Sequence, residues 1–319
     1  MQPPIQDEKS PKHLFSIIIV NWNTRELTLN CIQSIYQIEH SSDTIEIILI
    51  DNASGDGSVA AIKNKFKDVQ LIENKENVGF AKACNQGIKT ASGDIILLIN
   101  SDILLKTNDT FKKISDLFDT NPEIGIVSGK LFFPDGTLQT AGNKFISVWG
   151  LVKTQLLFST APIIKKIYQL LFPQKRRRYH FSDYVAGAFL AIRKKVIDKI
   201  GLLNENYFMY GEDMEWCARA REAGWKVAVH NEIEAIHFHA QSSKKNYEKM
   251  LFHNTKNNCQ IIRHYHGKFQ AKLAFFIYLK GMFLRIFIAF FRNRQQVAEY
   301  WHGLLNCWKN RREILGDEE

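Results

Sequence analysis

The chain has 319 residues, of which 45% are hydrophobic and 12% aromatic, enough for a large α/β domain with appended helices and against a disordered or fibrous chain. Its net charge of +9 is uneven: residues 141–200 hold 12 Lys/Arg against 2 Asp/Glu and residues 244–312 hold 14 against 2, so these segments carry +22 and the remainder −13. An acidic body with two basic, aromatic-rich segments excludes a uniformly basic nucleic-acid binder and points to an anionic membrane surface as partner.

The opening MQPPIQDEKSPKH is polar and Pro-rich, lacks the apolar core of a signal peptide, and reads as a disordered leader over 1–13. Phe15–Val20 (FSIIIV) is a short apolar, β-branched run of the kind found in a buried parallel strand. Thr24 then caps a helix whose apolar face includes Leu27, Cys31, Ile32 and Ile35. Ile45–Ile50 is a second strand ending at Asp51, 59–66 a helix, 69–73 a third strand and 80–90 a helix. Ile95–Ile99 is a fourth strand leading into Asn100, Ser101 and Asp102, followed by a helix over 109–119. Strands alternating with helices predict a Rossmann-like, mostly parallel sheet flanked by helices. In such sheets ligands bind beyond the carboxyl ends of the strands, where Asp51 and Asp102 fall.

Further along, 124–133, 185–192 and 226–236 read as strands and 212–223 as a helix. Residues 143–181 end in QKRRRYH and read as a mobile or membrane-touching insertion. Residues 268–291 are apolar and aromatic but interrupted by Lys272, Lys280 and Arg285. A spanning helix would bury those cations, so an interfacial amphipathic helix pair is expected instead. Five cysteines (Cys31, Cys84, Cys217, Cys259, Cys307) show no CxxC or Cys/His spacing and read as reduced thiols of a cytoplasmic protein.

Four constellations carry chemistry. The DNASGDGS loop (51–58) sets an acid, an amide and two glycines in a tight turn, where Asp51 can meet a base or ribose. In ENVGFAKACNQGI (76–88), Asn77, Gly79 and Asn85 surround a helix start suited to ribose and diphosphate. Asn100, Ser101 and Asp102 offer oxygen ligands for Mg²⁺ or Mn²⁺, and His237 or His239 can complete the shell. GEDMEWCAR (211–219) opens a helix with Glu212, Asp213 and Glu215, and the preceding YFMYG can wall an acceptor pocket. The plainer alternatives are helix capping, favourable charge at a helix N-terminus and a satisfied core histidine.

SIIIVNWNT, DNASGDGS, ENVGFAKACNQGI, LLINSD, VAGAFLAIRK, NYFMYGEDMEWCARAREAGWKV and HFHAQSS occur in this order, and over residues 15 to about 245 the chain resembles family 2 inverting glycosyltransferases. The rhamnosyltransferase-like branch that builds bacterial cell-surface polysaccharide is the most similar. The resemblance implies a GT-A fold over 14–245, with a nucleotide-binding half to about 130, an acceptor half beyond it, and a membrane-associating helical region over 246–319. It implies that Asn23, Asp51, Asn77, Gly79, Asn85, Asn100 and Ser101 line the nucleotide site. Asp102 matches the last acid of the Asp-x-Asp metal motif, whose first position is Asn100 here, and His237 fits the metal histidine with His239 second. Asp213 matches the catalytic base, with Glu212 beside it.

The implied reaction is one inverting displacement on a nucleotide-sugar, with Asp213 taking the acceptor proton and a divalent cation on the departing diphosphate. The implied acceptor is a saccharide or lipid-linked saccharide at the inner face of the cytoplasmic membrane. A membrane-docked scaffold would tolerate loss of Asp213, and no motif is degenerate enough to favour it. A nucleotidyltransferase would need a Gly-rich, basic triphosphate loop near residue 20, where VNWNT stands.

Overall fold

The structure, a computed structural model, describes residues 13–39, 43–140, 142–156, 177–238, 247–292 and 294–316. Residues 1–12 of the expected leader and the 157–176 part of the basic insertion lie outside the described residues, while His13 pairs with Asp94 and Asp119. By packing, the chain forms two compact units: the first holds residues to 143, 178–204 and 216–238, the second 144–156, 205–215 and 247–316. A boundary near 245 therefore does not follow the packing, because 205–215 cluster with the C-terminal helices.

The first unit begins with β1 (Leu14–Asn21), α1 (Arg25–Tyr36), β2 (Thr44–Asp51), α2 (Ser58–Lys65), β3 (Gln70–Glu73), α3 (Phe80–Thr90) and β4 (Ile95–Asn100). These strands pair in parallel in the order β3-β2-β1-β4. Then come β5 (Ile103–Leu105), α4 (Thr110–Thr120), β6 (Ile124–Phe132) and β7 (Leu138–Thr140). After α5 (Val148–Leu156) of the second unit, the chain adds β8 (Tyr179–Ser182), β9 (Phe189–Arg193), α6 (Lys194–Ile200), α7 (Glu212–Glu222) and β10 (Lys226–His237).

Beyond β4 the sheet changes character. β9 lies antiparallel between β4 and β6, β10 runs parallel to β6, and β5 pairs antiparallel with β10. The sheet is thus mixed, with its parallel run confined to the first four strands plus the β6–β10 pair. β9 starts at Phe189 rather than 185 because Phe189 N donates to Ala186 O in a turn that delays the strand.

Side-chain alternation along β1 explains the layering. Phe15, Ile17 and Ile19 face α1 and α4, packing with Cys31, Ile32, Ile35, Phe111, Ile114 and Phe118. Ile18 takes the other face with Ala81, Cys84 and Ile88 of α3 and Trp216 and Cys217 of α7. Helices on both faces bury Phe15–Ile19 of β1, which is why it reads as a continuous apolar run. All five cysteines are buried thiols.

The second unit is helical: α5, α8 (Tyr247–His266), α9 (Lys268–Arg292), α10 (Arg294–Lys309) and α11 (Arg311–Leu315). Its core joins Leu151, Cys259, Ile262, Ala271, Ala274, Phe275, Tyr278, Met282, Cys307 and Ile314. The expected helix pair over 268–291 is one 25-residue helix, because no Gly or Pro with strained geometry interrupts it. α9 is apolar enough to cross a membrane, yet 39% of that stretch is buried inside the protein. Its opposite face leaves Phe269, Phe276, Phe283, Phe287 and Phe291 exposed.

Candidate active site

The carboxyl ends of β1, β2 and β3 meet in a buried polar network. Asn21 Nδ2 donates to Asp51 Oδ1 at 2.7 Å and to Ser54 Oγ at 3.0 Å, while Thr24 and Thr28 hydroxyls donate to Asn21 Oδ1 at 2.8 and 2.7 Å. Ser54 N donates to Asp51 Oδ2 at 2.8 Å, so Asp51, 2% exposed, has both oxygens engaged and fixes its own loop. Each carboxylate oxygen keeps a second lone pair for a ligand. Asn23 stands in left-handed backbone (φ 55°), and its Oδ1 accepts from Gly55 N at 2.8 Å, knitting the β1 loop to the β2 loop.

Thr24 does not cap α1 with its side chain. Its hydroxyl belongs to the network and meets Ser101 Oγ at 2.8 Å. The orphan amide of Arg25 is taken instead by Asp56 Oδ2 at 2.9 Å, from the DNASGDGS loop.

The β3–α3 loop joins through amides. Asn52 Nδ2 donates to Gly79 O at 3.3 Å, and Asn74 Nδ2 donates to Asn52 Oδ1 at 2.8 Å. Asn77 Oδ1 accepts from Gly79 N at 3.0 Å, an Asx turn into α3. Gly79 has φ 87°, a conformation that favours glycine. Asn85 is spent differently: it is buried, its Nδ2 donates to Leu203 O at 2.8 Å, and its Oδ1 accepts from Leu203 N at 3.0 Å. That pair ties α3 to the segment after α6.

At the end of β4, Asn100 N donates to Ala188 O at 3.0 Å, and Ser101 and Asp102 are buried. The chain returns at once as β5, whose antiparallel pairing sets Ile103 opposite His237 of β10. This register puts His237 Nε2 3.3 Å from Asp102 Oδ1, and Phe238 N donates to Asp102 O at 3.0 Å. His239 lies outside the described residues.

His237 Nδ1 is 2.7 Å from Gln139 Oε1 of β7. With that oxygen accepting, Nδ1 carries a proton; in the neutral ring Nε2 then presents a lone pair toward the Asp102 carboxylate. In that tautomer two acceptors 3.3 Å apart fit a cation held between them. The donor set, one carboxylate and one imidazole, suits Mn²⁺ or Mg²⁺ whose other positions are filled by phosphate oxygens and water. Among the described residues no third His, Cys, Asp or Glu joins them. Sequence reading missed Gln139; the signal was Pro134-Asp135-Gly136, a turn that folds β7 back on β6.

In the second unit, Tyr210 and Gly211 have φ 69° and 91° and lead into α7. Glu212 is 5% exposed with Oε2 lacking a hydrogen-bond partner, and its carboxyl is pushed up to about 8, first by burial and then by the neighbouring Asp213. Asp213 is half-buried, and its Oδ1 accepts from Met214 N at 2.7 Å.

The mixed sheet with helices on both faces and an acid–histidine pair at the strand ends defines a GT-A type α/β protein. The chain belongs to glycosyl transferase family 2, whose domain matches residues 16–201. It is 26% identical over 235 residues to the low-salt glycan biosynthesis hexosyltransferase Agl10 of Haloferax volcanii, covering 70% of this chain and 66% of that one, just under two thirds of its length. It is 22% identical over 213 residues to an N-acetylglucosaminyl-diphospho-decaprenol L-rhamnosyltransferase of Mycobacterium tuberculosis, covering 62% of this chain and 68% of that one. Among solved structures, the mannosyltransferase PcManGT from Pyrobaculum calidifontis, in complex with GDP-Man and Mn²⁺, aligns with a TM-score of 0.58 at 14% identity, over 98% of this chain and 89% of that one. That last likeness speaks for the fold alone.

Proposed function

We propose that the protein transfers a sugar from a nucleoside-diphosphate sugar to a saccharide or lipid-linked saccharide in one inverting displacement, with rhamnose among the candidate sugars. The observation that carries this reading is the Asp102–His237 pair, 3.3 Å apart at the strand ends of a family 2 domain, with Gln139 setting the histidine tautomer. Asp102 and His237 would hold a Mg²⁺ or Mn²⁺ ion. Bound there, the ion supplies positive charge for a departing diphosphate.

The chain's own residues do the rest. Asp51, Asn23, Asn77, Gly79, Asn100 and Ser101 shape the donor site by fixing the strand-end loops, and Asn85 supports it through the Leu203 backbone. Asp213 takes the proton of the acceptor hydroxyl as it attacks the anomeric carbon. Burial favours the protonated form of Glu212, and the less buried Asp213 is assigned the base role.

The exposed face of α9 docks on an anionic cytoplasmic leaflet. Phe269, Leu273, Phe276, Phe283, Phe287 and Phe291 recur at helical spacing along it, with Lys272 and Lys280 exposed among them. Arg285, by contrast, turns inward and donates to Gln155 Oε1 at 2.7 Å. Such a stripe inserts its rings while the lysines reach headgroups, each cation near the surface contributing about 1 kcal/mol.

The test is a panel of UDP-, GDP- and dTDP-sugars with and without Mn²⁺, read by thermal shift and by nucleoside diphosphate release. One donor should stabilise the protein in a metal-dependent way and be turned over, with NMR of the product showing an inverted anomeric centre. No stabilisation and no turnover by any donor across the panel would overturn the reading.

A further inference from the structure

If Asp213 is the base, its aim depends on the first turn of α7, and that turn is held by a residue far along the chain. Tyr210 stands in left-handed backbone at φ 69°, immediately before Gly211 at 91°. A bulky non-glycine residue rarely adopts that conformation, and it persists where neighbours over-determine it. The neighbour here is Asn257 of α8, 1% exposed in the second unit. Its Nδ2 donates to Met209 O at 2.9 Å and to Tyr210 O at 2.7 Å, so one amide nitrogen holds two consecutive carbonyls.

Gly211 lies close against the same helix. A Cβ added there would sit 3.1 Å from Ile261 Cδ1 and 3.3 Å from Asn257 Cβ, in a backbone conformation that already favours glycine. Directly beyond, Glu215 N donates to Gly211 O at 2.9 Å and α7 begins with its acids. The turn, the buttress and the acidic pair form one constellation inside the second unit.

We propose that Asn257 is a positioning residue for sugar transfer: its carboxamide fixes the Met209–Gly211 turn and with it the direction of the Asp213 carboxylate. This rests on the reading of Asp213 as general base. An aspartate in its place would face two carbonyl oxygens with acceptors, and an alanine would remove both hydrogen bonds to the turn. α8 lies beyond residue 201, where the family match ends. The C-terminal helices thus have a catalytic duty distinct from any membrane contact.

The experiment compares full-length wild type, Asn257→Ala, Asn257→Asp and Asp213→Asn. Turnover is read as nucleoside diphosphate released from the UDP-, GDP- and dTDP-sugar panel, and binding of UDP and GDP with Mn²⁺ is read by calorimetry. Both Asn257 variants should lose about 10- to 100-fold in kcat, as expected of a misplaced catalytic group, while donor KM and diphosphate affinity hold within about 2-fold. The cycle with Tyr210→Gly separates positioning from plain stability. Glycine takes the left-handed conformation freely, so in that background Asn257→Ala should cost less than about 3-fold relative to Tyr210→Gly alone.

A wild-type kcat in folded Asn257→Ala, or an equal loss in the Gly background, overturns the proposal. Should Asn257→Ala not fold, Gly211→Ala strains the same turn and must reproduce the kcat loss with diphosphate binding intact; a normal kcat there rejects it. Asp213→Asn tells the two levels apart. If it turns over normally, the base reading and this inference both fail; if it is inactive while Asn257→Ala is normal, only this inference fails.

Discussion

The strand-end loops of the first unit and the exposed face of α9 in the second break opposite rules. In the loops, polar side chains are buried: Asn21, Asp51, Asn52, Ser101 and Asp102 are all 9% exposed or less. On α9, large apolar side chains are open: Phe269 is 76% exposed, Phe283 63% and Phe291 72%. A buried polar group is tolerated when its partners are in place, so the loops carry a dense set of mutual hydrogen bonds and are fixed before any ligand arrives. An exposed apolar stripe has no such internal remedy and is relieved by something that covers it. One region satisfies its buried polar groups internally, and the other leaves large rings open.

The largest expected effect tests whether chemistry belongs to the acidic pair rather than to either of these surfaces. Asp213→Asn keeps the shape and removes the acceptor, so transfer should fall by about 10² to 10⁴-fold with nucleoside diphosphate affinity near wild type. A mutant as fast as wild type at saturating donor would move the base elsewhere.

Changes in the polar network come next. Asp102→Ala should remove the Mn²⁺ dependence of diphosphate binding in calorimetry. Gln139→Leu, which removes the hydrogen bond to His237, should weaken Mn²⁺ affinity by about 10- to 100-fold through loss of ring orientation. Unchanged metal dependence in both would place the cation site away from the Asp102–His237 pair.

The apolar surface is broken by charge. Deleting residues 268–319 is a poor test, because Ala271, Ala274, Phe275, Tyr278 and Met282 belong to the core of the helical unit. The double change Phe276→Asp and Phe283→Asp alters two exposed rings instead, 57% and 63% accessible. Sedimentation with vesicles containing phosphatidylglycerol should show loss of binding by about 10-fold or more, with diphosphate affinity unchanged. Equal sedimentation of variant and wild type would rule out this face as the docking surface.

The smallest effect is on stability against pH. Glu212 sits near 8 in the fold against an ordinary 4.5, so between those values the folded protein holds a proton that the unfolded chain has released. Stability is therefore full below about pH 4.5 and falls as pH rises toward 8. Glu212→Gln should flatten that fall, raising Tm at pH 8 relative to wild type. Parallel Tm-against-pH curves for the two proteins would show that the carboxyl is not held neutral.

The sequence determined the strands that are buried on both faces, because burial demands continuous β-branched runs: β1, β2 and β4 appear within a residue or two of their expected bounds. It also determined that Asp51 ends β2, that Asp102 closely follows β4, and that Glu212 and Asp213 open a helix. What it left open was every contact made by a short element or across a long stretch of chain. β5 is three residues long, too short for a periodicity, yet its pairing with β10 alone brings His237 to Asp102. Gln139 lies 98 residues from the ring it orients, and Asn257 lies 47 from Tyr210. Thr24 looked like a cap because local spacing favours that, but its hydroxyl turns to Asn21 Oδ1 and to Ser101 Oγ, 77 residues along the chain. Residues 205–215 joined the helical unit for the same reason: side-chain pattern fixes which face of an element is buried, while the partner that buries it is chosen by packing.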